Sequence, residues 1–301
     1  MRFINETESL MKQISFILFI ALWHHSCAFG QQDKQAIERY DTIYKTVGNH
    51  KLVVNIFNPE VKEEKSLPAM AFFHGGGWVY GSPSEFHAVC TRYALKGFKT
   101  FSFQYRLSIM EDGTHPNPDI SPIESVKDAR SAIRWLKENS EELGIDPSRI
   151  VVVGQSAGGQ LTLSTTLMDG IDETSDNLNF SPEPAAMILY SSSVNMLEAW
   201  GEWHMGERRE QIWSISPMHN LNPGMPPVLA FHGEEDCMVP FWVIQRFEKE
   251  MHILKNPYRL ISFEGRRHYL GEGLGLYADY VDEGILNQTD NFLRELGYLP
   301  D

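Results

Sequence analysis

The chain has 301 residues, 42% of them hydrophobic, with three cysteines and a formal net charge of −14. That size and composition suit one large globular domain, with or without a small insertion. So acidic a balance argues against nucleic acid or an anionic membrane as partner, and three cysteines provide neither a disulfide framework nor a zinc array.

The N-terminal segment stands apart. Ile14 to Trp23 is apolar, preceded by Lys12 and followed by Ser26-Cys27-Ala28-Phe29-Gly30. A basic n-region, a short h-region and small residues after it read as a secretory signal peptide, too short for a comfortable membrane span. Residues 1–30 are therefore expected to be removed near Gly30, leaving an exported domain of residues 31–301. A lipid anchor on Cys27 is the weaker reading, because His24-His25-Ser26 is a poor lipidation context. Cleavage removes two basic and two acidic residues, so the mature charge stays at −14. Of the cysteines Cys90 and Cys237 remain, and spacing does not decide whether they pair.

Thr42–Val47 and Lys51–Phe57 are β-prone runs around Gly48-Asn49, which predicts a hairpin. Leu67–Phe73 predicts a strand running into His74-Gly75-Gly76-Gly77-Trp78. Glycines there let backbone amides approach a substrate oxygen, with His74 expected to hold the loop by hydrogen bonds. A phosphate cradle is the rival reading, but the lysine and Ser/Thr of a P-loop are absent. Next come a helix at about Ser84–Lys96, a strand at Lys99–Tyr105 and a polar, proline-bearing loop over 108–122. Val126, Ala129, Ile133, Leu136 and Leu143 have helical spacing, predicting a helix over Glu124–Leu143 that stops at Gly144.

Ile150 to Gly159 read Ile-Val-Val-Val-Gly-Gln-Ser-Ala-Gly-Gly, an apolar strand buried on both faces that ends in a Gly-x-Ser-x-Gly turn. Such a turn lifts Ser156 clear of the sheet and aims the Ala157 amide at a developing oxyanion. Gly154 and Gly158 are expected to be required because a Cβ at either place would crowd it. A polar loop over 169–184 follows. Ala186–Tyr190, Val228–Phe231 and Tyr258–Phe263 predict strands, and Val239–Leu254 and Tyr277–Leu296 helices. An antiparallel start followed by strand–helix alternation gives an α/β fold, with a doubly wound, mostly parallel sheet of about eight strands.

Residues 193–227 interrupt the alternation with Trp200, Trp203, Trp213, Met196, Met205 and Met218. They predict a small lid or pocket wall, with Trp78, Trp200 and Trp203 as candidate substrate-binding residues. The competing reading is that these side chains simply pack the insertion onto the core, which His204 and His219 would line.

A serine hydroxyl needs an adjacent base, itself oriented by a third group. His268, in a polar loop after Tyr258–Phe263, is the histidine best placed to be that base. Asp236, in the turn after Val228–Phe231, is the candidate orienting acid. An acid at that helix start would also serve as a cap.

These residues resemble the α/β-hydrolase serine esterases of the hormone-sensitive-lipase-like type. The resemblance runs from Lys51 onward and rests on five features: His74 to Trp78, Tyr105-Arg106-Leu107, Gly154 to Gly159, His232-Gly233-x-x-Asp236-x-x-Val239-Pro240, and His268. It implies Ser156 as nucleophile, His268 as base, Asp236 as its orienting acid, and Gly76, Gly77 and Ala157 as the oxyanion hole. It also implies no metal or organic cofactor. Arg106 is expected to pair with Asp128 in a structural role. Gln155 stands where lipase-like members have an acid, Ser108-Ile109-Met110 departs from the usual Ala-Pro-Glu, and the N-terminal cap is short. These departures are similar to exported acetylxylan or feruloyl esterases. The expectation is an exported serine carboxylic ester hydrolase that takes acetyl or feruloyl groups from polysaccharide through an acyl-enzyme. A general short-chain carboxylesterase, a peptidase or amidase of the same fold, and an inactive binding module are the alternatives. A small-molecule or polysaccharide ester is the expected partner, with no nucleic acid and no membrane span.

Overall fold

A computed structural model describes residues 37–59, 66–197, 199–271 and 282–300. The expected signal peptide over 1–30, its cleavage near Gly30, the Cys27 alternative and the expected start of the last helix at Tyr277 lie outside these residues.

The described residues form an eight-stranded sheet in the order β1-β2-β4-β3-β5-β6-β7-β8. Strands β1 (Glu38–Val47) and β2 (His50–Asn58) make the expected hairpin. Val47 lies opposite His50, which leaves Gly48-Asn49 as a two-residue turn with Gly48 at φ +54°. Strand β2 runs antiparallel to β4 (Lys99–Phe103). From there β4, β3 (Leu67–Phe73), β5 (Ile145–Gln155), β6 (Ala186–Tyr190), β7 (Val228–Gly233) and β8 (Tyr258–Phe263) are all parallel neighbours.

The apolar run in β5 is buried on both faces because its side chains alternate between two cores. Ile150 and Val152 join one with Ile133 and Leu161, and Val151 and Val153 join the other with Phe72 and Phe231. Burying each such side chain contributes about 1.5–3 kcal/mol. The first core is covered by helices α2 (Pro122–Glu138), α3 (Ala157–Leu167) and α5 (Phe241–Ile253). The second lies under α1 (His87–Leu95) and α6 (Glu283–Glu295).

Two helices differ from the spacing-based expectation, each for a local reason. The expected helix from Ser84 divides into a 3-10 turn over Pro83–Phe86, capped by Ser82, and then α1. Helix α2 starts at Pro122 because Ser121 and Glu124 form a reciprocal capping box. It stops at Glu138, where the Asn139 side-chain amide donates to the Trp135 carbonyl (2.8 Å). Leu143 is still buried, held by a turn closed by Gly144 at φ +62°. The described part of the last helix begins with Asp282 capping the Ile285 amide.

Residues 193–227 carry α4 (Ala199–Met205) and 3-10 turns over Gly206–Ile215 and Pro217–His219. Arg208 clamps Glu124 of α2 through both guanidinium nitrogens (2.9 and 2.8 Å). Gln160 of α3 donates to the Ile215 carbonyl (2.8 Å), while Ile212, Ile215 and Met205 are buried in the core. This segment is a fixed wall fastened to the sheet's helices. Cys90 and Cys237 are both free, the first buried and the second exposed, so they do not pair.

Candidate active site

Ser156 lies between the end of β5 and the start of α3, at φ 54° and ψ −117°. A backbone so placed costs about 1–3 kcal/mol, which a single buried residue of the strand before it offsets. The turn is held from both sides. The Ser156 amide donates to the Tyr190 carbonyl (2.9 Å), and its own carbonyl accepts from Gly159, Gln160 and Ser193. A Cβ on Gly154 would run into the Gly158 carbonyl, and one on Gly158 into the Phe73 carbonyl, so both glycines are required by space.

The loop after β3 approaches the same point. Gly76 and Gly77 have φ of +102° and +59°, a region open to glycine, and Trp78 follows at φ 62°. Val79 and Tyr80 amides both donate to the Gly76 carbonyl, which closes a tight turn. His74 and Tyr105 brace it from behind. Their rings stack at 4.3 Å, His74 Nδ1–H donates to the Gly75 carbonyl (2.8 Å), and the Tyr105 hydroxyl lies 3.0 Å from the carbonyls of His74 and Gly75. Burial pushes His74 down to about 4 against the pull of the Gly75 carbonyl, so it works as a neutral brace. The amides of Gly76, Gly77 and Ala157 find no backbone acceptor among the described residues.

The acid and the base arrive on loops stitched together by backbone. Glu234 and Glu235 amides donate to the carbonyls of Phe263 and Arg266. This approach depends on Gly233, where a Cβ would meet the Arg266 and Arg267 carbonyls. It brings Asp236 Oδ2 to 2.7 Å from His268 Nδ1. His232 Nε2–H is shared between the Val239 carbonyl (2.8 Å) and the same carboxylate (3.2 Å). Asp236 Oδ1 accepts from the Met238 and Val239 amides (2.8 and 2.9 Å). Burial, the largest single influence, pushes the Asp236 carboxyl up. The hydrogen bonds from His232, His268 and Val239, with the charge of His268, together outweigh it and hold the group well below the usual carboxylate range. With Asp236 ionised, its Oδ2 accepts from His268 Nδ1–H, which puts Nε2 on the cavity side. There it lies 3.4 Å from Gln155 Nε2.

Ser156, His268, Gly76, Gly77 and Trp200 all line one cavity of about 370 Å³. Of the three tryptophans expected to meet substrate, Trp200 alone lines this cavity. Trp78 is fully buried behind it, stacked on its ring at 5.2 Å with Nε1 donating to Gln160, because the turn at Gly76–Gly77 directs it inward. Trp203 lies on the outer side of α4 and is 47% exposed, away from the cavity lining. Six lining residues escaped the sequence reading: Val79, Tyr80, Gln155, Cys237, Met238 and Tyr269. Each lies one or two positions from Trp78, Ser156, Asp236 or His268, which was the available signal. His204 lines the cavity as well as the insertion. Arg106 grips Asp128 with Nε and Nη2 (2.8 and 2.7 Å), as expected. Among the described residues no group of three or more His, Cys, Asp or Glu side chains could hold a metal ion, and no helix is long and apolar enough to cross a membrane.

Comparison with known proteins agrees with this geometry. The chain is 27% identical to Esterase LipC of Mycobacterium tuberculosis over 194 residues, 58% of this chain and 46% of that protein. It is 31% identical to Lipase 2 of a Moraxella species over 322 residues, 93% of this chain and 72% of that protein. The chain thus spans less than half of the first relative's length. Among solved structures, Thermogutta terrifontis esterase 2 phosphorylated by paraoxon is similar with a TM-score of 0.77 at 31% identity, covering 87% of this chain and 96% of that one. Its propionate-bound form gives 0.75, covering 90% and 98%. A family model described as alpha/beta hydrolase fold matches residues 70–269, the stretch that contains Ser156, Asp236 and His268. By that match and by its eight-stranded, mostly parallel sheet, the chain belongs to the alpha/beta hydrolase fold family.

Proposed function

We propose that the protein is a serine carboxylic ester hydrolase working through an acyl-enzyme. The single observation that carries this is the Asp236–His268 pair (2.7 Å) opening onto the cavity that holds a strained, cavity-facing Ser156. The ester carbonyl oxygen sits against the amides of Gly76, Gly77 and Ala157. Ser156 Oγ attacks the carbonyl carbon as its proton passes to His268 Nε2, and Asp236 stabilises the imidazolium that forms. The negative oxygen is held by the three amides, each worth about 2.7–4 kcal/mol in such a site. Collapse breaks the bond to the leaving oxygen, which takes the proton from His268. Water then repeats the cycle on the acyl-serine and releases the acid.

The names of the similar proteins, esterases and a lipase, support ester substrates. The finer reading is an exported, periplasmic or secreted enzyme that removes acetyl or feruloyl groups from polysaccharide. The N-terminal sequence supports export. Tyr80 and Met238 line the cavity yet are 51% and 45% exposed, which supports a mouth open to a bulky alcohol. A panel of acetylated and feruloylated oligosaccharides beside simple aryl esters tests both levels, with Ser156→Ala as control. Hydrolysis should fall by on the order of 10⁶ in Ser156→Ala, and sugar esters should be preferred. Undiminished activity in that variant would end the esterase reading, and flat activity across alcohols would leave a general short-chain carboxylesterase.

A further inference from the structure

Three tryptophans surround one polar side chain. His204 lies one helical turn after Trp200 on α4, with ring centroids 5.9 Å from Trp200, 4.8 Å from Trp203 and 6.3 Å from Trp78. It is buried to 7% exposure, yet it lines the catalytic cavity. Its Nδ1 is buried with no hydrogen-bond partner among the described residues. Its Nε2 faces Gly77, 4.0 Å from where a Cβ on that glycine would stand. Burial pushes the imidazole down to about 4, so at neutral pH it carries a single proton. In either tautomer Nδ1 is left without a partner. On Nε2 the proton faces the cavity.

Substrate geometry says which part of an ester meets this donor. The leaving oxygen must reach His268 to collect a proton, and the carbonyl oxygen must reach the Gly76 and Gly77 amides. The remaining substituent, the acyl chain, is left to the side of Gly77, where Trp200 and His204 stand 3.5 and 4.0 Å from a Cβ built on that glycine. Of these two rings His204 is the one whose Nε2 faces that glycine. We propose that His204 Nε2–H is a specificity-determining donor in the acyl site, selecting acids that carry an oxygen acceptor a few atoms beyond the carbonyl, such as short oxo acids and methoxylated aromatic acids. This rests on the esterase reading above. A buried polar group that faces the substrate discriminates against ligands that leave it unpaired.

The test compares p-nitrophenyl 4-oxopentanoate with its isostere p-nitrophenyl 4-methylpentanoate on the full chain. One neutral hydrogen bond predicts a kcat/KM ratio of about tenfold in favour of the oxo ester. The ratio should fall to about one in His204→Phe and in His204→Leu, and recover in part in His204→Gln, which restores an N–H. Thermal melting verifies that each variant is folded. A ratio near one in the wild type, or a tenfold ratio that persists without His204, overturns the proposal while leaving ester hydrolysis intact. Cleavage of neither ester would sink the esterase reading itself.

Discussion

Asp236 answers two demands with one carboxylate. Its Oδ1 caps the turn before α5 through two backbone amides, and its Oδ2 accepts from His268 Nδ1–H. An acid at this position is thus a cap by its contacts and, on the proposed mechanism, also the group that orients His268. Asp236→Asn separates them. An asparagine oxygen can keep the cap, but its amide donates toward Nδ1 and forces the His268 proton onto Nε2, where it blocks transfer from Ser156. The expected result is a fall in kcat of about 10⁴ with KM little changed, read by steady-state kinetics on a variant whose melting curve shows it folded. A loss under tenfold would reduce Asp236 to a cap. The convergence of Ser156, Asp236 and His268 was legible in sequence, the first two from short motifs and the third from its place in the loop after β8. Trp78 and Trp203 were misplaced because composition marks an aromatic segment without telling which face of a short helix or tight turn each ring takes. The proximity of Gln155 to His268 depends on loop convergence across 113 positions and left no local trace.

At the scale of elements, one buried ion cluster ties four segments together. Lys45 of β1, Arg106 after β4, Asp128 of α2 and Glu173 in the loop after α3 meet within 2.7–3.1 Å, with Asp128 fully buried. Removing the central anion leaves two cations buried with half their partners. Asp128→Ala should lower unfolding free energy by about 3–5 kcal/mol, measured by urea denaturation. A loss below about 1 kcal/mol would show that solvent or Glu173 compensates. The strands were read closely because short uninterrupted apolar runs are strong signals, as in Leu67–Phe73 and Ala186–Tyr190. Helix ends were read less well. Leu143 matched the spacing of α2 while lying in a turn, and the Ser121–Glu124 capping box was outweighed by apolar periodicity.

For the molecule as a whole, the sheet order brings three distant segments to one end. Strand β5 lies between β3 and β6, so the glycine loop after β3 borders Ser156 directly. The β7 and β8 loops reach across to it through Gly233. Segment 193–227 closes one side with Trp200 and His204 and stays anchored by Arg208 and Gln160. These walls border the cavity lined by Ser156 and His268, whose Nε2 lies 3.4 Å from Gln155 Nε2.

At the core of the proposed mechanism is a serine made nucleophilic by one histidine. Reaction of the full chain with a p-nitrophenyl phosphonate, followed by intact mass and peptide mapping, tests it most directly. One adduct should form, on Ser156, at a rate that drops by at least about a hundredfold in His268→Ala. An adduct on another residue, or none on a folded protein, would contradict the account.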